Sequence, residues 1–72
     1  MTEKKYLKEL GNRISEKRKA LKMSAEDFGK SVDISKVHVY RIEAGEHSTN
    51  ILVLRRIADV LNISLAELVK VD

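Results

Sequence analysis

Apolar residues recur three and four positions apart along this chain, and nowhere do they alternate with polar residues over a useful length. The first pattern puts apolar side chains on one side of an α-helix, whereas alternation is typical of a half-buried strand. The chain has no proline and three glycines, so little in it interrupts a helix. The sequence therefore predicts an all-α fold without a sheet.

Capping signals divide the first part of the chain into three helical segments. The first extends over residues 3–22, with an apolar stripe formed by Leu7, Leu10, Ile14 and Leu21. The second follows Ser24, which resembles the start of a capping box with Asp27 three residues later. The third begins after Ser35, an N-cap candidate, and ends before Gly45, which suits the residue just past a helix.

Two further segments follow a short polar loop. Asn50 is an N-cap candidate for the fourth, and Asn62 is expected to end it in place of glycine. We expect the buried stripe of the fourth segment to consist of Ile51, Leu54, Ile57, Ala58 and Leu61. Ser64 and Glu67 form an S-x-x-E capping box for a short fifth helix.

Length and composition restrict the class of protein. The 72 residues predict one domain, 1–72, in which folding buries roughly 60% of the unfolded surface. There is no cysteine for a disulfide or a thiolate metal site. The longest apolar run, residues 51–54, is too short to span a membrane, and the charged N-terminus lacks a signal-peptide pattern. We expect a cytoplasmic protein without membrane association, and no separate domain for a small-molecule effector.

Positive charge is concentrated near the N-terminus. Residues 1–22 contain eight Lys or Arg and three Glu, whereas residues 23–72 contain six Lys or Arg and eight Asp or Glu. Such a segment suits contact with a polyanion, and it equally suits a solvated helix face. Charge alone leaves both interpretations open.

The third segment has apolar residues on both of its sides. At roughly 100° per residue, Val39, Ile42 and Glu43 share one side, which we expect to face the core. The opposite side contains Val37, Tyr40, Arg41 and Ala44, with Lys36 near its edge. Cations and aliphatic groups of this kind can contact guanine and the thymine methyl in the DNA major groove. Single exposed apolar residues are also common on protein surfaces, so this face by itself favours DNA only slightly.

Residues 14–68 resemble the helix-turn-helix domains of the phage repressor and Cro (xenobiotic response element) family. The resemblance is carried, in order, by Ile14 and Arg18, MSAEDFG (23–29), DIS (33–35), Val39, IEAG (42–45) and IADVLNISLAEL (57–68). It implies a compact, lambda-repressor-like domain of five helices whose second and third helices bind DNA. The function implied is that of a sequence-specific transcriptional regulator, a repressor or autoregulator, that reads double-stranded DNA. We expect it to bind as a homodimer, because one small domain buries too little DNA for tight binding.

The resemblance also implies which residues contact DNA. Lys36, Val37 and Arg41 match base-contacting positions, and Tyr40 matches a base or phosphate contact. The candidate site further includes Ser24, Ala25 and Ser35, where the two helices begin.

Several positions depart from the family pattern. Ala25 replaces a Gln that often contacts DNA, which leaves the helix N-terminus to offer backbone N–H groups to a phosphate. Gly29 replaces a small residue that is usually Ala. Lys22 and Asp33 replace turn glycines, and Ser48-Thr49 replaces an Asn-Pro pair.

Other classes of function fit less well. His38 and His47 are isolated in sequence, and no phosphate-binding glycine loop or nucleophile motif is present, so we expect no enzyme, no cofactor and no metal site. The main alternative is a protein-interaction scaffold of the same fold with weak or no DNA binding. The modest net charge of +3 and the missing Gln favour that alternative, whereas Lys36 and Arg41 favour DNA.

Two contacts are expected: one between opposite charges, and one between apolar residues that exceed what the core can bury. Arg18 and Glu43 lie on apolar stripes that face each other, so we expect them to pair, and the family has an Arg–Glu bridge at matching positions. Four consecutive apolar residues at 51–54 cannot all face one core. We therefore expect the surplus to form the dimer surface, with candidates Leu52, Val53, Val69 and Val71; the alternative, nearly as well supported for Val53, is that it covers the core.

Overall fold

A computed structural model describes residues 2–71 of the chain. Within that range the chain forms five α-helices and no strand: α1 (Glu3–Ala20), α2 (Ala25–Val32), α3 (Lys36–Glu43), α4 (Ile51–Leu61) and α5 (Leu65–Val69). This confirms the predicted all-α, five-helix fold. None of these helices combines the length and apolar character needed to cross a membrane.

Each helix begins with a polar side chain that accepts a hydrogen bond from the backbone N–H three residues later. The donor–acceptor distances lie between 3.0 and 3.2 Å. The five N-cap residues are Thr2, Ser24, Ser35, Asn50 and Ser64. All but the first were predicted from the sequence. An N-cap of this kind contributes about 1 kcal/mol, because it satisfies an N–H that has no partner inside the helix.

Helices α1 to α4 end in the same backbone arrangement. After each helix comes one residue in the left-handed conformation, with φ between 58° and 74°. Its N–H donates to the carbonyl three residues back, and the next N–H donates to the carbonyl five residues back, as in a Schellman motif. The left-handed residues are Lys22, Asp33, Gly45 and Asn62. The predictions for Gly45 and Asn62 are confirmed, and Asp33 adopts the left-handed conformation of the turn glycine that it replaces.

Lys22 is the least suited of these residues to its conformation, since a left-handed backbone costs roughly 1–2 kcal/mol for an ordinary L-residue. We expect Lys22→Gly to raise the free energy of unfolding by about 0.5–1 kcal/mol in urea denaturation. The matched control is Lys19→Gly in the last turn of α1, which should lower it by about 1 kcal/mol. Equal losses in the two variants would contradict the argument.

All five helices contribute to one core. Its largest fully buried side chains are Ile14 from α1, Phe28 and Val32 from α2, Val39 from α3, Ile57 from α4 and Leu68 from α5. Ile42 is also buried, so the side of α3 predicted to face the core does so. The fold thereby fixes which side of α3 remains at the surface.

Three apolar residues lie where the sequence did not predict them. Ile51 is 60% exposed, whereas Val53, a dimer candidate, is 7% exposed and belongs to the core. At roughly 100° per residue Val53 lies only 40° from the buried Ile57 and Ile51 lies 120° from it, so the packed side of α4 is rotated from the expected stripe. Leu21 is 48% exposed, because α1 ends at Ala20 and the chain turns away there. The prediction of Val53 as a dimer residue is therefore wrong.

Two side chains of α1 hold the end of α5. The Tyr6 hydroxyl donates to the carbonyl of Val69, and Arg13 Nη1 donates to the carbonyls of Glu67 and Lys70, the latter at 2.7 Å. The last carbonyls of a helix lack partners inside it, so these contacts act as a C-terminal cap supplied by another helix. They fix the position of the segment that contains Val69.

Candidate nucleic-acid interface

The outer face of α3 combines two cations with two exposed apolar or aromatic side chains. Lys36 and Arg41 are exposed, and Val37 and Tyr40 are 58% and 51% exposed. Val39, on the opposite side of the helix, is 1% exposed. The structure therefore brings these four side chains together on one accessible face.

Lys36 and Tyr40 interact with each other on this face. Lys36 Nζ lies 6.0 Å from the centroid of the Tyr40 ring, at the outer limit of a cation–π contact. The two residues are one helical turn apart, so their side chains are neighbours on the helix surface. Lys36 is exposed, so its ammonium group can donate to a ligand.

The turn between α2 and α3 is held by a close backbone approach. A Cβ added to Gly29 would lie 2.6 Å from the carbonyl oxygen of Ile34 and 3.3 Å from Val39 Cγ2. The absence of a side chain at Gly29 lets the start of α3 pack directly on α2. This contact sets the angle at which α3 presents its outer face.

The start of α2 offers less to a ligand than the sequence suggested. Ser24 is exposed, but its Oγ already accepts from the N–H of Asp27 at 3.0 Å. Ala25 is 4% exposed and belongs to the core, so it offers no side chain to a ligand. Glu26 and Asp27 occupy the first turn, and their charges oppose a phosphate at this helix end. Ser35, at the start of α3, is exposed and has no acidic neighbour in the first turn.

A buried ion pair anchors the back of α3 to α1. Arg18 Nε donates to Glu43 Oε2 at 2.6 Å and Arg18 Nη2 to Glu43 Oε1 at 3.0 Å, and each side chain is 9% exposed. Arg18 Nη1 also donates to the carbonyl of Met23 at 2.8 Å. The hydrogen bond to Glu43 raises the pKa of Arg18 above its ordinary value, against the opposing effect of burial. The expected pairing of Arg18 with Glu43 is present, and it ties α3 to the helix behind it.

The fold brings together two histidines that are isolated in sequence. The rings of His38 on α3 and His47 in the α3–α4 loop meet edge to face, with centroids 4.6 Å apart. An open groove beside them is also lined by Ser35, Val37 and Arg41. No spacing rule predicts this contact, because it depends on how the loop returns past α3. The available signal was that these are the only two histidines in the chain.

Comparison with known proteins agrees with this architecture. A family model of helix-turn-helix proteins matches residues 14–68. Among solved structures, the P22 c2 repressor protein in complex with synthetic operator 9T in the presence of Tl⁺ is similar, with a TM-score of 0.82 and 33% sequence identity. The match covers 88% of this chain and 96% of that one. A comparison with curated proteins gave no match.

The family match covers most of the chain, and the same range carries the ordered residues on which the resemblance was drawn. The similar solved structure shares the fold over nearly its whole length. The chain belongs to the helix-turn-helix family of phage repressor and Cro-like DNA-binding regulators, which are not enzymes.

Proposed function

We propose that this chain is a cytoplasmic transcriptional regulator, a repressor or autoregulator. Its single domain binds a specific double-stranded DNA sequence as a homodimer. In this proposal the outer face of α3 enters the major groove. The protein needs no cofactor and no small-molecule effector for this activity.

The observation that carries the proposal is the composition of the outer face of α3. Arg41 and Lys36 can donate hydrogen bonds to guanine or to a phosphate, and Val37 can contact a thymine methyl. Val37 is 58% exposed beside the two cations, whereas Val39 on the opposite side of the helix is 1% exposed. Within a helix-turn-helix fold, a face with these donors and this aliphatic group suits contact with base edges.

The similarity to the P22 c2 repressor protein, which was solved with its synthetic operator, supports DNA as the partner. The acidic first turn of α2 argues for weaker phosphate contact at that helix end. This second observation is the one that favours the alternative, a protein-interaction scaffold of the same fold.

A salt titration separates the two functions. Binding to a random duplex is measured over a range of salt concentrations, and the operator is then selected from a randomised library. Phosphate contacts release counterions, so DNA binding predicts a steep fall of log K with log salt. A flat salt dependence together with no enriched sequence would favour the scaffold.

Arg41 and Val37 should affect binding in different ways. Arg41→Ala should weaken binding to the selected site by roughly tenfold or more, because one bidentate base contact contributes about 1–3 kcal/mol of discrimination. Val37→Ala should change base preference at one position and leave non-specific affinity nearly unaltered. Both residues are exposed, so thermal melting should be unaffected.

The measurement compares the selected site with a scrambled duplex. Arg56→Ala is the matched control, because it removes the same charge from the exposed surface of α4. A loss that is equal on both duplexes would make Arg41 a phosphate contact instead. Unchanged binding in both the Arg41 and Val37 variants would exclude α3 as the reading helix.

The homodimer is proposed from the apolar surface that the core does not use. Leu52 is 60% exposed on α4, and Ile51 beside it is equally exposed. Val69 and Val71 are half-buried near the end of α5, which packs against α4. Two-fold dimers of this type read half-sites roughly 34 Å apart, and one small domain alone contacts little DNA.

We expect sedimentation to detect a dimer at micromolar protein concentration or on the selected DNA. Leu52→Lys should shift the equilibrium toward monomer without lowering the melting temperature, because Leu52 contributes little to the core. Val53→Ala is the contrasting variant and should destabilise the monomer. Sedimentation of wild type as monomer alone, with and without DNA, would contradict the dimer.

A further inference from the structure

We propose that His38 and His47 form a binding site for a borderline divalent transition metal such as Zn²⁺. The chain contains only two histidines, nine positions apart, and the fold brings their rings to a centroid distance of 4.6 Å. Imidazole nitrogen is a preferred ligand of Zn²⁺, Ni²⁺ and Cu²⁺.

The separation of the rings suits a shared metal ion. In a tetrahedral site two imidazoles bound through nitrogen at about 2.0–2.1 Å have ring centroids roughly 5 Å apart. The observed separation of 4.6 Å is close to this value. The planes of the rings are 80° apart, so the rings are not stacked face to face.

A second observation, independent of this distance, concerns the hydrogen bonding of His38. Its Nε2 atom is buried and has no hydrogen-bond partner among the residues that the structure describes. A buried polar atom without a partner costs about 1–3 kcal/mol, and metal coordination would satisfy it. Coordination at Nε2 would therefore break no hydrogen bond within the protein.

The site has two protein ligands. Residues 2–71 contain no group of three or more His, Cys, Asp or Glu suited to a metal ion. The open groove beside the pair leaves room for water to complete the coordination. Arg41 lines the same groove, and its positive charge opposes a cation, so we expect weaker binding than in a four-ligand structural site.

An ion held by both histidines would connect α3 to the loop that precedes α4. It would also add positive charge beside Val37 and Arg41, on the face assigned to DNA. This consequence for DNA rests on the proposed function. The metal site itself does not, and it is tested without DNA.

The experiment is a Zn²⁺ titration of the full chain, followed by ¹H–¹⁵N NMR of the backbone and the imidazole side chains. We expect saturable shifts centred on His38 and His47, and none from Mg²⁺, which prefers oxygen ligands. His47→Gln should weaken Zn²⁺ binding by roughly tenfold or more, since a single imidazole remains. His47 is exposed, so this variant should fold as wild type does.

Thermal melting gives a second readout. An ion that binds the folded state raises the melting temperature, so Zn²⁺ should stabilise wild type and have little effect on His47→Gln. Acidification should abolish the effect, because a protonated imidazole cannot bind metal. Zn²⁺ shifts that persist undiminished in His47→Gln, or the lack of saturable shifts in wild type, would overturn the proposal. If the wild-type protein binds Zn²⁺ but does not bind DNA, only the proposed function is overturned.

Discussion

Glu43→Ala should lower the free energy of unfolding by about 3–5 kcal/mol, because it leaves the buried guanidinium of Arg18 without its partner. A domain of this length has a total stability of roughly 4–11 kcal/mol, so the variant loses a large part of it. At about 4–8 °C for each kcal/mol, the melting temperature should fall by more than 10 °C. Thermal and urea denaturation measure both quantities.

An exposed ion pair on α2 provides the matched control. Lys30 Nζ lies 3.6 Å from Glu26 Oε1 on the surface of α2, and the two side chains are 74% and 60% exposed. Glu26→Ala should cost only a few tenths of a kcal/mol, since an exposed i,i+4 pair is screened by water. If Glu43→Ala does not fold, Glu43→Gln keeps the shape and removes only the charge. Melting of Glu43→Ala within a degree or two of wild type would refute the role of the pair.

A double replacement separates the cost of leaving Arg18 without a partner from the contribution of the ion pair itself. A buried pair exchanged for apolar residues of similar volume is often neutral or stabilising. Arg18→Met combined with Glu43→Leu should therefore recover much of the stability lost in Glu43→Ala. The remaining deficit should come from the carbonyl of Met23, which Arg18 Nη1 no longer satisfies.

Gly11→Ala is the second substitution with a large expected effect, and its sign is diagnostic. In an unobstructed helix interior, alanine is more stable than glycine by roughly 0.5–1 kcal/mol. Here a Cβ at Gly11 would lie 2.4 Å from the carbonyl oxygen of Ile42 and 2.5 Å from that of Glu43. Both atoms belong to the backbone, so α1 and α3 must move apart.

We expect Gly11→Ala to destabilise the protein by about 1–3 kcal/mol, the usual cost of overpacking a core. Asn12→Ala, at the adjacent exposed position of α1, is the control and should be neutral or slightly stabilising. Urea denaturation of both variants measures the difference. If Gly11→Ala is as stable as Asn12→Ala, α1 and α3 can move apart without lowering the free energy of unfolding.

Helix α1, which meets α3 at Gly11, also sets the position of the outer face of α3. The close approach at Gly11 and the Arg18–Glu43 pair both hold the back of α3. Substitutions there should weaken any binding by α3 through the fold, with loss of stability. Substitutions on the outer face should weaken binding without that loss, and this difference separates the two groups of variants.

The predictions that rested on local interactions were confirmed. The N-caps at Ser24, Ser35, Asn50 and Ser64 were predictable because the cap and its partner N–H are only three residues apart. The left-handed turn at Asn62 is equally local. Helical periodicity puts Val39 and Ile42 on one side of α3, and two aliphatic residues on one side indicate that this side faces the core. The partnership of Arg18 with Glu43 could be expected because a charge on a buried stripe needs a counter-charge.

What only the tertiary structure decided depends on how the helices are rotated and where the loops return. In the run at 51–54 every direction around α4 carries an apolar side chain, so periodicity alone could not choose between Ile51 and Val53 for the core. Packing against the other helices selected Val53, which removed it from the proposed dimer surface. Likewise, no local rule brings His47 to His38, because the loop between them has to fold back along α3. The sequence by itself therefore determined the five helices, most of their ends and the chemistry of the outer face, since each of these depends on residues within a few positions of one another. Apart from the Arg18–Glu43 pair, the contacts between distant residues depend on the packing of all five helices at once, and only the tertiary structure could decide them.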